Sequence, residues 1–302
     1  MRWANVAFGL SGVLLVTSII IMNMRGFQLG IDFTGGTIVE VNFEKSVDLD
    51  QIRNALAHVS IIDPLIQHYG SHHNLMIHIP PVKTKFNQEI SDQILSIIRQ
   101  VTNQKAIIKR IASIGPSVST ESAQFGSIAI LVALICILIY VTLRFEWRLA
   151  TGTVISLAHD IVIILGVLSL FHIEIDMTII ASLISAIGYS LNDSIVVSDR
   201  IRENFRNIIS QHLNTYEIFN LSLTQILNRT IITSVTTLIV VLILYIFGGS
   251  MLHNFSMTLL IGIFFGTISS IYVASALALK LGLKREHLLL QTIEKEGGDI
   301  FP

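Results

Sequence analysis

Six apolar runs decide most of what this chain can become. They lie near Ala4–Met22, Phe125–Leu143, Ala150–Phe171, Met177–Ser198, Thr230–Phe247 and Phe255–Leu279. Each is long enough, as a helix, to cross about 30 Å of hydrocarbon. Backbone groups in lipid must find their hydrogen bonds within the crossing itself, so runs of this length imply a helical bundle. Composition agrees, with 52% of residues hydrophobic and 14% charged, against about 25% charged in soluble domains. The formal net charge of −1 offers nucleic acid no electrostatic footprint. A lone cysteine, Cys136, sits in an apolar run, so no intramolecular disulfide can form.

Positive charge sets the orientation. Arg144 and Arg148 stand between the second and third runs, and Arg200, Arg202, Arg206 and Arg229 between the fourth and fifth. Lys280, Lys284 and Arg285 follow the last, whereas the loops Phe171–Asp176 and Gly248–Asn254 hold no Lys or Arg. By the positive-inside rule both termini are expected in the cytoplasm, with the long segment after the first run outside. The first run has no small-residue cleavage site after it and reads as a retained anchor.

The outer segment carries its own pattern. Thr37–Phe43 alternates as a strand, and Asp48–Val59 has helical spacing. Ile61–Tyr69 and Asn74–Ile79 read as strands joined by a turn at Gly70–His73, Ile90–Val101 as a helix, and Lys105–Ala112 as a last strand. The order β-α-β-β-α-β predicts a ferredoxin-like α+β domain. The expected organisation is helix 1 over 1–24, a periplasmic domain over 25–120, helices 2–6 over 121–280 and a cytoplasmic tail over 281–302. His68, His72, His73 and His78 cluster near the hairpin without the spacing of a metal site, and no metal or cofactor is expected. Gly30-Ile-Asp-Phe-Thr-Gly-Gly-Thr37 lacks the Gly-Lys-Ser/Thr of a nucleotide loop and leads into a strand, so it reads as a tight turn.

Chemistry concentrates inside the bundle. Asp193 lies in an apolar stretch, where an acid costs roughly 2.5–3.5 kcal/mol on insertion scales and marks a functional site by default. Helical spacing puts Ser182, Ala186, Tyr189, Ser190 and Asp193 on one stripe, with Asn192 and Ser194 beside the acid. Leu183, Ile184, Ile187, Leu191 and Ile195 are expected to face lipid. Asp160 stands near mid-depth of the third run, with Thr153 and Ser156 on its face. His159 and Asp160 diverge by about 100° and are not expected to pair. Arg229 opens the fifth run, with Thr233, Thr236 and Thr237 continuing its face, and is expected to reach in and meet Asp193. Gly262, Gly266, Ser269 and Ser270 read as a small-residue packing seam. The connector Asp199–Asn228 reads as an amphipathic surface helix.

Gly188-Tyr-Ser-Leu-Asn-Asp193 running into Asp199-Arg-Ile-Arg-Glu-Asn204, with Arg229-Thr-Ile-Ile-Thr-Ser234 and Gly30–Thr37, resembles the SecF family of bacterial protein-export membrane proteins, within the resistance-nodulation-division type of transporter. The resemblance covers nearly the whole chain. It implies a non-enzymatic accessory subunit of the inner membrane that pairs with SecD, as the other six-helix half, beside the SecYEG channel. YajC is an expected neighbour, together with membrane lipids and a translocating preprotein. It implies that proton motive force drives the outer domains, with Asp193 and Arg229 as the proton-coupling acid and base. Asp160 has a supporting place in that coupling, and Tyr189, Ser190, Asn192 and Thr233 form a polar stripe around it. A proton-driven efflux or lipid transporter of the same superfamily is the alternative. An intramembrane aspartyl protease is disfavoured, because its Tyr-Asp and Gly-x-Gly-Asp signatures are missing.

Overall fold

The computed structural model describes residues 4–43, 49, 52, 65–69, 71–79, 96, 106–206 and 212–283. Its elements are α1 (Ala4–Arg25), α2 (Ile31–Thr34), β1 (Gly36–Phe43), β2 (Leu65–Tyr69), β3 (Ser71–Ile79) and β4 (Ala106–Ile114). Then follow α3 (Pro116–Arg144), α4 (Trp147–Leu170), α5 (Met177–Arg206), α6 (Thr215–Phe247), α7 (Gly249–Ser269), a π-helical turn (Ser270–Ala274) and α8 (Ser275–Lys280). Among the described residues six helices are long and apolar enough to cross a membrane, the last running from α7 through α8. The fold is therefore a polytopic helical membrane protein. The chain divides into two compact units, one of residues 1–27, 130–173 and 178–302 and the other of residues 28–129 and 174–177.

The second unit holds a four-stranded antiparallel sheet in the order β2-β3-β1-β4. Val39, Val41 and Phe43 alternate inward from β1, the period of two that a half-buried strand requires. Thr37 pairs with Ile79, Val39 with Ile77 and Val41 with Leu75 across β1 and β3. This is the strand order of the split β-α-β-β-α-β unit. The expected helices Asp48–Val59 and Ile90–Val101 lie outside the described residues, save Leu49, Ile52 and Ser96, each helical. Ile52 is buried with the sheet core. The hairpin is tighter than expected, since β3 begins at Ser71 and places His72 and His73 in a strand instead of a turn. The tail expected over 281–302 lies outside the described residues beyond Leu283.

Gly30–Thr37 is a compact device. Ile31–Thr34 makes one helical turn, and Gly35 and Gly36 follow with φ of 70° and 120°, angles that favour glycine. A Cβ on Gly36 would stand 2.3 Å from the Ile79 carbonyl oxygen. Upstream, Gly30 N–H donates to Ile175 O and Ile175 N–H to Gln28 O, both at 2.8 Å. The carboxylate of Asp32 accepts from the backbone N–H of Met177 at 2.8 Å. Met177 is the first residue of α5, so Asp32 satisfies one of the free N–H groups at that helix end and complements its dipole.

In the bundle unit, α5 and α6 run beyond the expected membrane segments. No separate surface helix stands in the connector among the described residues; α5 continues to Arg206 and α6 starts at Thr215. Asn214 and Glu217 form a capping box that starts α6. Apolar residues drive the extension: Ile201 and Phe205 of α5 pack with Ile218, Phe219 and Leu223 of α6. Phe205 and Phe219 meet edge to face at 6.0 Å. The same end carries the ion pairs Arg144–Asp199 at 3.0 Å and Arg148–Glu146 at 2.7 Å.

Candidate functional site

Asp160 is the best-connected buried acid in the bundle. Ser190 Oγ of α5 and Ser269 Oγ of α7 both donate to its Oδ2, each at 2.8 Å. His159 Nδ1 lies 3.2 Å from its Oδ1. The other ring nitrogen of His159 meets the hydroxyl of Ser11 on α1. Three helices thus converge on one carboxyl, with α1 joined to it through His159, and small residues make the convergence possible. A Cβ on Gly266 would stand 3.0 Å from Ser190 Cβ, and one on Gly262 only 2.5 Å from Ala186 Cβ. The contact between His159 and Asp160 corrects the expectation that neighbouring residues diverge too far. The Cβ atoms diverge, but the imidazole is long enough to turn back to the carboxylate while Ser11 holds its far side.

Ser269 was read from the sequence as packing alone, yet it donates to the acid. Its signal was there, because Gly262, Gly266 and Ser269 share one helical face. Immediately after it the helix widens into the π turn Ser270–Ala274, a distortion that recurs at functional sites. Gly152 of α4 accommodates that turn; a Cβ there would lie 2.7 Å from Ala274 O.

Asp193 is buried, 4% exposed, and its Oδ2 has no hydrogen-bond partner among the described residues. The hydroxyls of Ser156 and Ser194 are buried and unpartnered likewise. Each lies one turn, about 6 Å, along its helix from Asp160 or Ser190. The acid therefore points inward, as its stripe implied. Ser182, Ala186 and Ser190 are buried with it, but so are Leu183 and Ile187, which were expected to meet lipid. Asn192 is exposed, on the outer side of α5 with Ala181, Ser185 and Gly188, and so stands apart from the stripe.

Arg229 does not meet Asp193: among the described residues no ion pair joins them. Arg229 is exposed and lines a cleft of about 460 Å³ with Asp199, Arg200, Glu203 and Gln225. At this exposed end of the bundle the guanidinium keeps its hydration, at lower desolvation cost than the interior would impose. The threonine face is also turned otherwise than expected. Thr233 and Thr236 are exposed and donate to their own helix backbone, while Thr230 and Ser234 are buried. Ser234 instead joins three helices, accepting from Tyr189 at 3.4 Å and from Thr267 at 2.9 Å.

Residues 93–284 match the description "Protein export membrane protein SecD/SecF, C-terminal", and residues 20–47 match the SecD/SecF GG motif. The protein translocase subunit SecF of Escherichia coli O157:H7 is 58% identical over 300 residues, covering 99% of this chain and 92% of that one. The corresponding subunit of Vibrio alginolyticus is 48% identical over 299 residues, covering 99% and 94%. The crystal structure of SecDF, a translocon-associated membrane protein from Thermus thermophilus, matches with a TM-score of 0.84 at 34% identity. That match covers 93% of this chain and 38% of the SecDF chain. With a family model over most of the chain and relatives of this identity along almost all of it, the chain belongs to the SecD/SecF family of protein-export membrane proteins, among its SecF subunits.

Proposed function

We propose that this chain is the SecF half of a SecD–SecF assembly in the bacterial inner membrane, with both termini in the cytoplasm and the sheet unit in the periplasm. Its task is to help draw preproteins outward beside SecYEG, with YajC as a neighbour, driven by proton motive force. The observation that carries this reading is the pair of buried carboxyls on neighbouring helices, Asp160 hydrogen-bonded by two serines and Asp193 unpartnered among the described residues. Asp193 without a cation is the arrangement of a neutral, protonated acid. Loss of the proton leaves a charge whose counter-ion is Arg229, and drawing that side chain inward repacks α5 against α6. Asp160 keeps α4, α5 and α7 in register while this happens.

The energy is of the right size. Each elementary charge crossing 100 mV yields about 2.3 kcal/mol, and moving a two-state bundle from 1:99 to 99:1 takes about 5.5 kcal/mol. One or two protons per cycle, with a pH gradient added, are sufficient. The route outward starts at α5, whose first N–H is held by Asp32 at the entry to β1. A SecD partner is supported by the polar outer face of α5 and α6. Asn192 and Thr233 are exposed along membrane helices, which a facing protein half suits better than lipid does. The SecDF structure joins such a half in one chain, of which this chain matches 38%.

The test is preprotein export in vesicles holding this chain, SecD and SecYEG under an imposed proton gradient. Asp193→Asn and Arg229→Ala should each abolish the gradient-dependent part of export and leave the remainder. Undiminished gradient-driven export in Asp193→Asn would sink the reading. Gradient-driven extrusion of small molecules without any effect on export would favour the efflux alternative.

A further inference from the structure

We propose that the bundle holds one acyl chain of an anionic phospholipid in a cleft between α1, α4 and α8, with the headgroup on Lys280. The cleft has a volume of about 270 Å³ and is walled by Phe8 and Leu15 of α1, Ile155 and Val162 of α4, and Leu277 of α8. An apolar cavity of about 150 Å³ already takes up a benzene, so this one has room for a stretch of hydrocarbon chain. Gly12 leaves it open: a Cβ there would meet nothing within 4 Å. Ile155 on the opposite wall is 51% exposed although it lies in the middle of a spanning helix. An apolar wall at that depth is covered by lipid or by protein, and charge at the mouth of the cleft decides between them.

At that mouth stands Lys280, its Nζ 3.8 Å from the centre of the Phe8 ring. Among the described residues no carboxylate pairs with it. It is exposed and ends the last helix, which on the proposed orientation is the level of the inner-leaflet headgroups. An aromatic ring below the ammonium fixes its position, and a phosphate above it completes the charge balance. Apolar depth below and an unpaired cation above are the two halves of an anionic phospholipid. The floor of the cleft is His159, in contact with Ser11. An acyl chain there keeps water from the histidine that touches Asp160, so lipid occupancy insulates the hydrogen-bonded acid from the membrane side.

The experiment is native mass spectrometry of the purified full chain, offered phosphatidylglycerol or phosphatidylcholine. Wild type should retain phosphatidylglycerol about fivefold better, the value of one basic residue at an anionic membrane surface. Lys280→Gln should bring the two lipids to equal retention, and Gly12→Phe, which fills the cleft, should lower retention of both. A diazirine amino acid at Leu15 in intact membranes should cross-link to lipid. Equal retention of both lipids by wild type, retention untouched by Gly12→Phe, or cross-linking to a polypeptide would each overturn the proposal. None of these readouts depends on proton-driven export, so this site and the proposed function fail separately.

Discussion

Ser269 donates to Asp160 across the contact between α7 and α4 at 2.8 Å, and the bond ends one residue before the π turn. Hydrogen bonds to charged groups contribute roughly 1.5–3 kcal/mol, and an orphaned buried partner adds its desolvation cost. Because Ser190 serves the same oxygen, Ser269→Ala alone should lower stability modestly. Asp160→Ala leaves two hydroxyls and an imidazole without their acceptor and should cost several-fold more. Thermal unfolding of Ser190→Ala, Ser269→Ala and the double variant, purified in detergent, should show a non-additive pair, since both hydroxyls act on one atom. Strict additivity would mean the two bonds are independent.

Close helix approach makes that geometry possible, and glycine makes the approach possible. A Cβ at Gly262 would overlap Ala186 Cβ at 2.5 Å, whereas one at Gly188 meets nothing within 4 Å. Gly262→Val should therefore separate α5 from α7 and destabilise by about 1–3 kcal/mol, as overpacking does. Gly188→Ala should be neutral or stabilising by about 0.5–1 kcal/mol, because glycine weakens a helix interior. Comparing the two unfolding midpoints checks the prediction; equal shifts would show that the α5–α7 contact is looser than these distances.

The crossings were legible in the sequence because twenty apolar residues have few other uses, and the strands because alternation at period two appears in Thr37–Phe43. The inward direction of Asp193 was legible from its cost in lipid. Its partner was not, and the reason is general. Periodicity says which residues share a face of one helix, but not how far that helix is rotated or shifted against the next. Leu183 and Ile187 were assigned to lipid because they oppose the polar stripe, yet α5 is covered on both sides of that line. Depth and facing along the threonine stripe assign Arg229 to Asp193, whereas in the structure it is exposed and lines a cleft with Asp199 and Glu203. Asp32 went unnoticed because its partner, the N–H of Met177, is 145 residues away.

His78 makes the sheet unit sensitive to pH. Its side chain is half-buried beside Gly35 O at 3.4 Å, and burial lowers its pKa from 6.5, with the Gly35 carbonyl partly opposing. The sign follows from linkage: the unfolded chain takes up the proton more readily than the folded one, so stability falls as pH drops through 6.5. Above that value both states are neutral and the contribution vanishes. Hydrogen exchange of the full chain, corrected for intrinsic rate, should show protection across the Thr37–Ile79 pairing decreasing below this pH. His78→Gln should flatten the dependence, and an unchanged pH profile in that variant would place the titrating group elsewhere.

Asp32 offers the sharpest test of how motion could leave the bundle. Its carboxylate holds the first N–H of α5, and sixteen residues on, the same helix carries Asp193. Removing it forfeits a charge-assisted bond and a favourable interaction with the helix dipole, together roughly 2–4 kcal/mol. Asp32→Ala should therefore release the start of α5 locally, seen as faster exchange at Met177 and Thr178, while the distant Asp160 cluster keeps its protection. Asp32→Asn retains an acceptor without the charge and should fall between. If α5 is the strut that carries proton-driven repacking outward, Asp32→Ala lowers the gradient-dependent fraction of export and spares the rest. A variant with a frayed α5 but full gradient-driven export would show that the force leaves the bundle by another path, the first alternative being the Gly115–Pro116 entry to α3.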